Sequence, residues 1–293
     1  MKSWHYQRFH GALFDKALLC CTSISGLPLK GWIRILGKLL TSLSVTLITQ
    51  DEAHHIAACL SSVAFADQLV VLDSGSQDST REIAAAMGAE VSVNSDWRGF
   101  GLQKNRALAL ATSDWVLSLD ADERVTADLR AEILAVLQNP QYDCYSFPRL
   151  SSYCGQDIWH SGWYPDRVAR LFKRTAAQFS ADLVHERLLT SGPIGKLHAP
   201  LLHETTENLE AVLDKINRYS SAGAQGLAGK GTRGSLGKAL THGAWAFVRT
   251  YLLQRGFLDG RMGLILAISN AEATYYRYLK LWLLQQAKKS PPA

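Results

Sequence analysis

Trp115 to Glu123 reads WVLSLDADE, a strand-like run that passes directly into the pair Asp120-Ala121-Asp122. A short apolar run of this kind fits a strand buried on both faces. The two carboxylates, with a small residue between them, can turn into one crevice at the strand end. Working outward, similar runs lie upstream: Leu43 to Thr49 (LSVTLIT), then Asp51; Gln68 to Asp73 (QLVVLD), then the turn-rich Ser74-Gly75-Ser76-Gln77-Asp78; and the shorter Glu90 to Val93. The intervals have helical spacing. Asp51 to Val63 places Ile56, Leu60 and Val63 on one face, a helix with Ile83 and Met87 inward follows Asp78, and Leu102 to Ala111 is a third. Thr126 caps a fourth that runs through Leu137. Strands alternating with helices predict an α/β fold, a Rossmann-like and mostly parallel sheet with helices on both faces. Ligands of such sheets bind beyond the carboxyl ends of the strands. Asp51, Asp73 and Asp120/Asp122 all fall there. A single aspartate after a strand is often a turn former or helix cap, and for Asp51 both readings stand. Three strand ends converging on carboxylates is hard to reach through packing alone.

After Asn139 the pattern becomes mixed, with aromatic strands at Tyr145 to Leu150 and Val168 to Phe172. From about Leu209 it is helical and basic. The charge divides the same way: residues 1–43 carry a net +5, residues 44–214 a net −10 and residues 215–293 a net +10. The expected organisation is an N-terminal extension (1–43), a catalytic domain (44–214) and a helical basic C-terminal region (215–293). An acidic middle suits a divalent cation, and basic ends suit anionic lipid or phosphate. Nucleic acid is not expected as a partner.

With 47% hydrophobic and 19% charged residues, the chain can bury a core, which excludes global disorder. Cys20, Cys21, Cys59, Cys144 and Cys154 have no C-x-x-C spacing, so neither a zinc site nor a disulfide framework is indicated, and a reducing compartment is the simplest reading. No run reaches the roughly 18 apolar residues of a membrane span. Ala17 to Leu29 is a short, interrupted run and a poorly formed signal peptide.

A D-x-D at a strand end is a motif for Mg²⁺ or Mn²⁺, which bind through one or two carboxylates together with substrate phosphates. The surrounding motifs make the resemblance specific. SVTLITQDEAHHIAACLSSV, VVLDSGSQDST and GFGLQKNRALALATSDWVLSLDADE resemble the family 2 glycosyltransferases. WYPDRVARLFKR, VHERL and GFLDGRMG extend the resemblance to about Leu284, toward the lipopolysaccharide core β-glucosyltransferase branch. The resemblance implies a GT-A fold and an inverting enzyme that moves a hexose, glucose in that branch, from a UDP-sugar to a lipid-linked saccharide. It implies that Asp73 binds the uridine, that Thr49 lines the same pocket, and that Asp120 and Asp122 hold the metal and donor. Lys104 stands where the family often has Arg. Asp51 replaces the usual Asn and adds charge beside the diphosphate.

Inversion needs a base for the acceptor hydroxyl. Glu186, after His185, is favoured and Asp166, in WYPDR, is second. His203 follows the apolar Ala199 to Leu202 and is a third candidate metal ligand, with a satisfied core histidine the competing reading. Arg167, Arg170, Lys173 and Arg174 form a solvated strand face or steer an anionic acceptor. Trp159, Trp163 and Tyr164 stack on sugars or fill core. A haloacid-dehalogenase phosphatase would have Thr or Val where this chain has Arg124, and a nucleotidyltransferase would have a glycine-rich loop in place of QDEAHH. A catalytically silent scaffold, or transfer to another polysaccharide or to protein, are the alternatives.

Apolar residues recur in the C-terminal region at Leu240, Ala244, Phe247, Tyr251 and Leu252, and again at Leu264, Ile268, Ala271, Tyr275, Tyr278 and Trp282. Arg249, Arg255, Arg261, Arg277 and Lys280 lie between them. A basic amphipathic face of this kind predicts a peripheral protein on the cytoplasmic face of an anionic membrane. Packing against the catalytic domain is the competing reading.

Overall fold

The computed structural model describes residues 41–181, 186–206 and 208–287. The weak apolar run at Ala17 to Leu29, with Cys20 and Cys21, lies outside them, as does nearly all of the expected N-terminal extension.

The apolar runs are strands. β1 (Leu43–Thr49), β2 (Gln68–Asp73), β3 (Glu90–Val93) and β4 (Trp115–Asp120) form the parallel half of a ten-stranded sheet, in the order β3-β2-β1-β4. Their connections carry α1 (Ile56–Ser62), α2 (Thr80–Ala86) and α3 (Phe100–Leu110). Register sets the site. Thr49 pairs with Asp73 across β1–β2, and Ile48 pairs with Asp120 across β1–β4, so these strands end at one level. The order reverses between β1 and β4, and such a switch point opens a crevice at the carboxyl ends. Helix α1 starts later than the periodicity predicts. Asp51 is in the left-handed region at φ 57°, and the Glu52 carbonyl accepts from the amides of both His55 and Ile56, so residues 51–55 form a turn.

Beyond β4 the sheet becomes mixed, more so than the sequence predicts. β5 (Glu123–Val125) leads into α4 (Ala127–Gln138), whose N-cap Thr126 accepts from the Leu129 amide as expected. A cap of this type contributes about 1 kcal/mol. β6 (Cys144–Tyr153) and β8 (Asp166–Lys173) are antiparallel, and β8 lies against β4. β7 (Gln156–Asp157) and β11 (Ile194–Lys196) pair with β6, while β9 (Ala177–Phe179) and β10 (Leu188–Thr190) form a separate ribbon. β12 (Leu201–Glu204) inserts between β6 and β5. The core is continuous across both halves and includes Leu47, Leu117, Leu119, Phe147 and Leu171. Each such fully buried side chain contributes roughly 1.5–3 kcal/mol by leaving water.

The C-terminal region is helical from Leu209, as predicted: α5 (Leu209–Gly229), α6 (Leu236–Val248) and α7 (Gly260–Ala287). A π turn (Arg249–Leu253) and a 3-10 turn (Gly256–Asp259) make the corner between α6 and α7. Helix α7 is tied to the sheet where Tyr153 Oη meets Ser269 Oγ at 2.7 Å. No helix among the described residues is long and apolar enough to cross a membrane.

Candidate active site

The first element of the site is a loop wound around a carboxylate. Asp73 is fully buried at the end of β2. Its Oδ1 accepts from the amides of Gly75 and Ser76, both at 2.9 Å, and its Oδ2 accepts from Ser76 Oγ at 2.5 Å and Thr49 Oγ1 at 3.2 Å. Gly75 sits at φ +102°, a conformation that side chains rarely adopt, and this lets the chain turn back over the aspartate. The β1 loop is stitched to this turn. The Asp51 amide donates to Ser76 Oγ, the Ala53 amide donates to Asp78 Oδ2, and Asp51 Oδ1 accepts from the Gln77 amide at 2.7 Å. Asp73 and Asp51 thus shape the two loops.

The second element is a chain of alternating charges. Arg170, from β8, donates to Asp120 Oδ2 at 2.5 Å, and Lys104, from α3, lies 3.0 Å from Asp120 Oδ1. Desolvation in the crevice would raise the Asp120 carboxyl. The charges of Arg170 and then Lys104 outweigh it and hold the group well below the usual carboxylate range. For Arg170 the desolvation that would lower it is overcome by Asp120 and Glu123, so its guanidinium is held charged. The chain continues both ways. Lys104 Nζ donates to Glu186 Oε1 at 2.8 Å. Arg170 reaches the buried Glu123 at 3.2 Å, Arg149 reaches Glu123 at 3.3 Å, and Arg149 reaches Asp166 at 2.6 Å. Both candidate bases, Glu186 and Asp166, are therefore terminal members of one ionic chain that passes through Asp120.

The third element is the pair Asp122–His203. Pairing of β12 with β5 brings the Glu204 amide to the Asp122 carbonyl, and His203 Nε2 then lies 3.3 Å from Asp122 Oδ2. Ser151 Oγ contacts Nδ1 of the same ring at 3.0 Å and orients it. A carboxylate and an imidazole held together at a pocket wall suit a divalent cation whose remaining ligands are phosphate oxygens and water. Among the described residues no group of three or more His, Cys, Asp or Glu is arranged to hold a metal by itself.

The elements meet at a cavity of about 550 Å³ at the ends of β1 and β4, lined by Thr49, Ser74, Asp120, Asp122 and His203 together with Gln50, Glu52, Trp97, Phe100 and Tyr219. This is a strand-end pocket with an acidic floor, and it fits the family resemblance in the sequence. The family model described as Glycosyl transferase family 2 matches residues 44–188. The protein is a glycosyltransferase. An uncharacterized glycosyltransferase of Rickettsia prowazekii is 29% identical over 252 residues, covering 82% of this chain and 86% of its own. The lipopolysaccharide core biosynthesis glycosyltransferase LpsC of Rhizobium meliloti is 26% identical over 262 residues, covering 80% and 93%. Among solved structures, the glycosyltransferase is similar to S. aureus TarS 1-349 in complex with UDP, at 16% identity and a TM-score of 0.45, covering 84% of this chain and 92% of that one.

In this glycosyltransferase, the residues singled out in the sequence form one neighbourhood, by different routes. Thr49, Asp120, Asp122 and His203 line the cavity directly. Asp73 and Asp51 support its loops, Lys104 and through it Glu186 are joined to Asp120 by ion pairs, and Asp166 is the far member of the ionic chain. The sequence reading missed Glu52, Trp97, Phe100 and Tyr219, and it treated Arg170 only as part of a basic cluster. Burial first, and then Asp122, raises the Glu52 carboxyl above its ordinary value. Trp97 and Phe100 meet edge to face at 4.9 Å, and both are exposed. Two exposed aromatics at the start of a helix, in DWRGF, were the available signal for that part of the lining. Tyr219 comes from α5, and nothing local in the sequence connects it to the D-x-D.

Proposed function

We propose that the chain is an inverting hexosyltransferase that moves a hexose, glucose on the branch resemblance, from a UDP-sugar to a lipid-linked saccharide of the lipopolysaccharide core type, at the cytoplasmic face of a membrane. The observation that carries the donor half is the cavity that joins Thr49 and Ser74 on one side to Asp120, Asp122 and His203 on the other. The uridine would sit against the Asp73-centred loop and Thr49, with Asp51 bracing that loop. Asp122 and His203 would hold Mg²⁺ or Mn²⁺ with the diphosphate oxygens, and the bound ion would neutralise charge on the departing UDP. Lys104 and Arg170 fix Asp120 in its ionised form, aimed at the donor.

Transfer forms one bond and breaks one. The acceptor oxygen attacks the anomeric carbon, the bond from that carbon to the diphosphate breaks, and UDP leaves with the electron pair. The hydroxyl proton passes to a carboxylate. Glu186 is the favoured base because one lysine separates it from Asp120, whereas three residues of the ionic chain separate Asp166 from it. The acceptor class is supported by the role in the name of the Rhizobium meliloti relative and by the basic C-terminal region.

Calorimetry with UDP-glucose, UDP-galactose, UDP-N-acetylglucosamine and a GDP-sugar, each with and without Mn²⁺, tests the donor. The expected result is Mn²⁺-strengthened binding of a UDP-hexose and none of the GDP-sugar. Equal binding of both nucleotides, or no effect of Mn²⁺, would overturn the assignment.

A further inference from the structure

The α6–α7 pair is packed with its small residues inward. Ala239 and Gly243 of α6 are buried, and a β-carbon on Gly243 would lie 3.2 Å from Tyr275 Cβ and 3.3 Å from the Ala271 carbonyl oxygen. At the corner, Gly263 approaches Gly256 so closely that a β-carbon would overlap the Gly256 carbonyl. α7 buries Leu266 and Leu281, but on α6 and around the corner the large apolar side chains point outward. Leu240, Trp245, Leu252, Leu253, Phe257 and Leu258 are 48–62% exposed. Water-facing helix pairs bury Leu and expose small or charged residues. An inverted arrangement, with an apolar patch this contiguous in sequence, marks an interaction surface. The predicted stripe divides between the two surroundings. Leu240, Leu252, Leu264 and Ile268 are exposed, while Ala271, Tyr275, Tyr278 and Trp282 are partly buried.

The charge around the corner identifies the partner. Arg249, Arg255 and Arg261 are exposed there. The one carboxylate of the corner, Asp259, is buried and turned inward. Its Oδ1 accepts from the amides of Trp159 and His160 at 3.1 Å, and its Oδ2 accepts from Ser161 Oγ at 2.8 Å. The Ser161 amide in turn donates to the Gln254 carbonyl at 2.9 Å. The corner is therefore tied to the loop that carries the exposed Trp159 and leads, through Tyr164 and Pro165, to Asp166. Apolar side chains interleaved with arginines, with no exposed acid, complement an anionic lipid surface.

We propose that this corner is the docking surface for an anionic bilayer. Leu252, Leu253, Phe257 and Leu258 enter the acyl boundary, Arg249, Arg255 and Arg261 meet lipid phosphates, and Asp259 couples the seated corner to the Trp159–Asp166 segment. The proposal deepens the reading of a lipid-linked acceptor and rests on it for its purpose. The docking itself rests on the corner alone.

The test is flotation of the full chain with phosphatidylcholine vesicles, with and without phosphatidylglycerol, at low and high salt. Wild type should float with the anionic vesicles. The variant Leu252→Ser/Leu253→Ser/Phe257→Ser/Leu258→Ser should lose at least about tenfold in partition. Arg249→Gln/Arg255→Gln/Arg261→Gln should lose its salt dependence. Melting curves and UDP calorimetry check that each variant is folded. If the apolar variant does not fold, quenching of wild-type Trp245 by brominated lipid, read against Trp245→Phe, gives the same answer. Amide exchange at residues 159–161 should slow on vesicle binding. No flotation of wild type, undiminished flotation of the folded apolar variant, unquenched Trp245, or a dimer that the apolar variant dissolves would overturn the docking. Unchanged exchange at 159–161 would overturn the coupling. Failure of the acceptor reading looks different: flotation persists, and transfer to a lipid-free oligosaccharide proceeds with the same kcat/KM with or without vesicles.

Discussion

Replacing Lys104 by methionine removes the cation that joins Asp120 to Glu186 while keeping most of the side-chain volume. The lysine side chain is 3% exposed, and its ammonium lies 3.0 Å from Asp120 and 2.8 Å from Glu186. Removing one partner of a buried pair costs about 3–5 kcal/mol, because a charge is left without compensation. Two features reduce that figure here. Asp120 keeps Arg170 at 2.5 Å, and its side chain is 32% exposed, so solvent screens part of what remains. The ammonium also no longer has to be desolvated. A loss of about 2 kcal/mol is left, which for a domain of this size lowers Tm by about 4–8 °C. Thermal denaturation near neutral pH reads this directly. A double-mutant cycle with Glu186→Gln isolates the pair. The two single losses should fall short of adding, with a coupling of about 1–2 kcal/mol. A Tm within about 1 °C of wild type for Lys104→Met, or a strictly additive cycle, would refute the ionic chain as a stabilising element.

Asp122→Asn should nearly abolish transfer and remove the Mn²⁺ dependence of UDP binding, at a cost of several kcal/mol to the transition state; near wild-type kcat with Mn²⁺ would remove Asp122 from the metal site. Glu186→Gln should keep UDP-sugar affinity and lose about 10²–10⁴-fold in kcat; normal turnover in Glu186→Gln with collapse in Asp166→Asn would move the base to Asp166. Glu52 gives a pH signature. Its carboxyl is raised by burial and then by Asp122, so its ionisation penalises the fold: the penalty is absent below the unfolded-state value and is complete once pH has risen through the folded-state value. Glu52→Gln should therefore raise Tm relative to wild type at about pH 8 and lose that advantage as pH falls below about 4; an advantage that grows toward acid would reverse the sign and the argument.

The parallel half of the fold was legible because each of β1, β2 and β4 is a local apolar run ending at an acid or its neighbour, and burial on both faces requires such a run. Thr126 was legible as a cap for an equally local reason. β5 and β12 were harder. They are 3 and 4 residues long, and their existence depends on partners far along the chain. Arg170 shows the same limit at the site: its carboxylate partner Asp120 is 50 residues away, and only the β4–β8 pairing brings them together. The direction of the α6 face was open in the sequence for a different reason. Periodicity locates an apolar stripe but not the direction it faces, and Ala239 and Gly243 won the interior because close helix approach favours small side chains.

The loop wound around Asp73 has a consequence for how substrate choice can change. Ordering a loop at the moment of binding subtracts from affinity, and a loop already ordered by folding avoids that loss. Residues 51–53 and 74–78 are cross-tied before any ligand arrives, so this wall behaves as a fixed mould. The rest of the lining includes Trp97, Phe100, His203 and Tyr219, which reach the cavity as individual side chains. The cavity is thus modular: substitutions at Tyr219 or Phe100 can reshape what is accepted without re-forming the mould, whereas a substitution at Gly75 or Ser76 would alter the mould itself. If the donor binds as proposed, a library confined to Trp97, Phe100 and Tyr219 varies the lining while leaving the cross-tied loops intact.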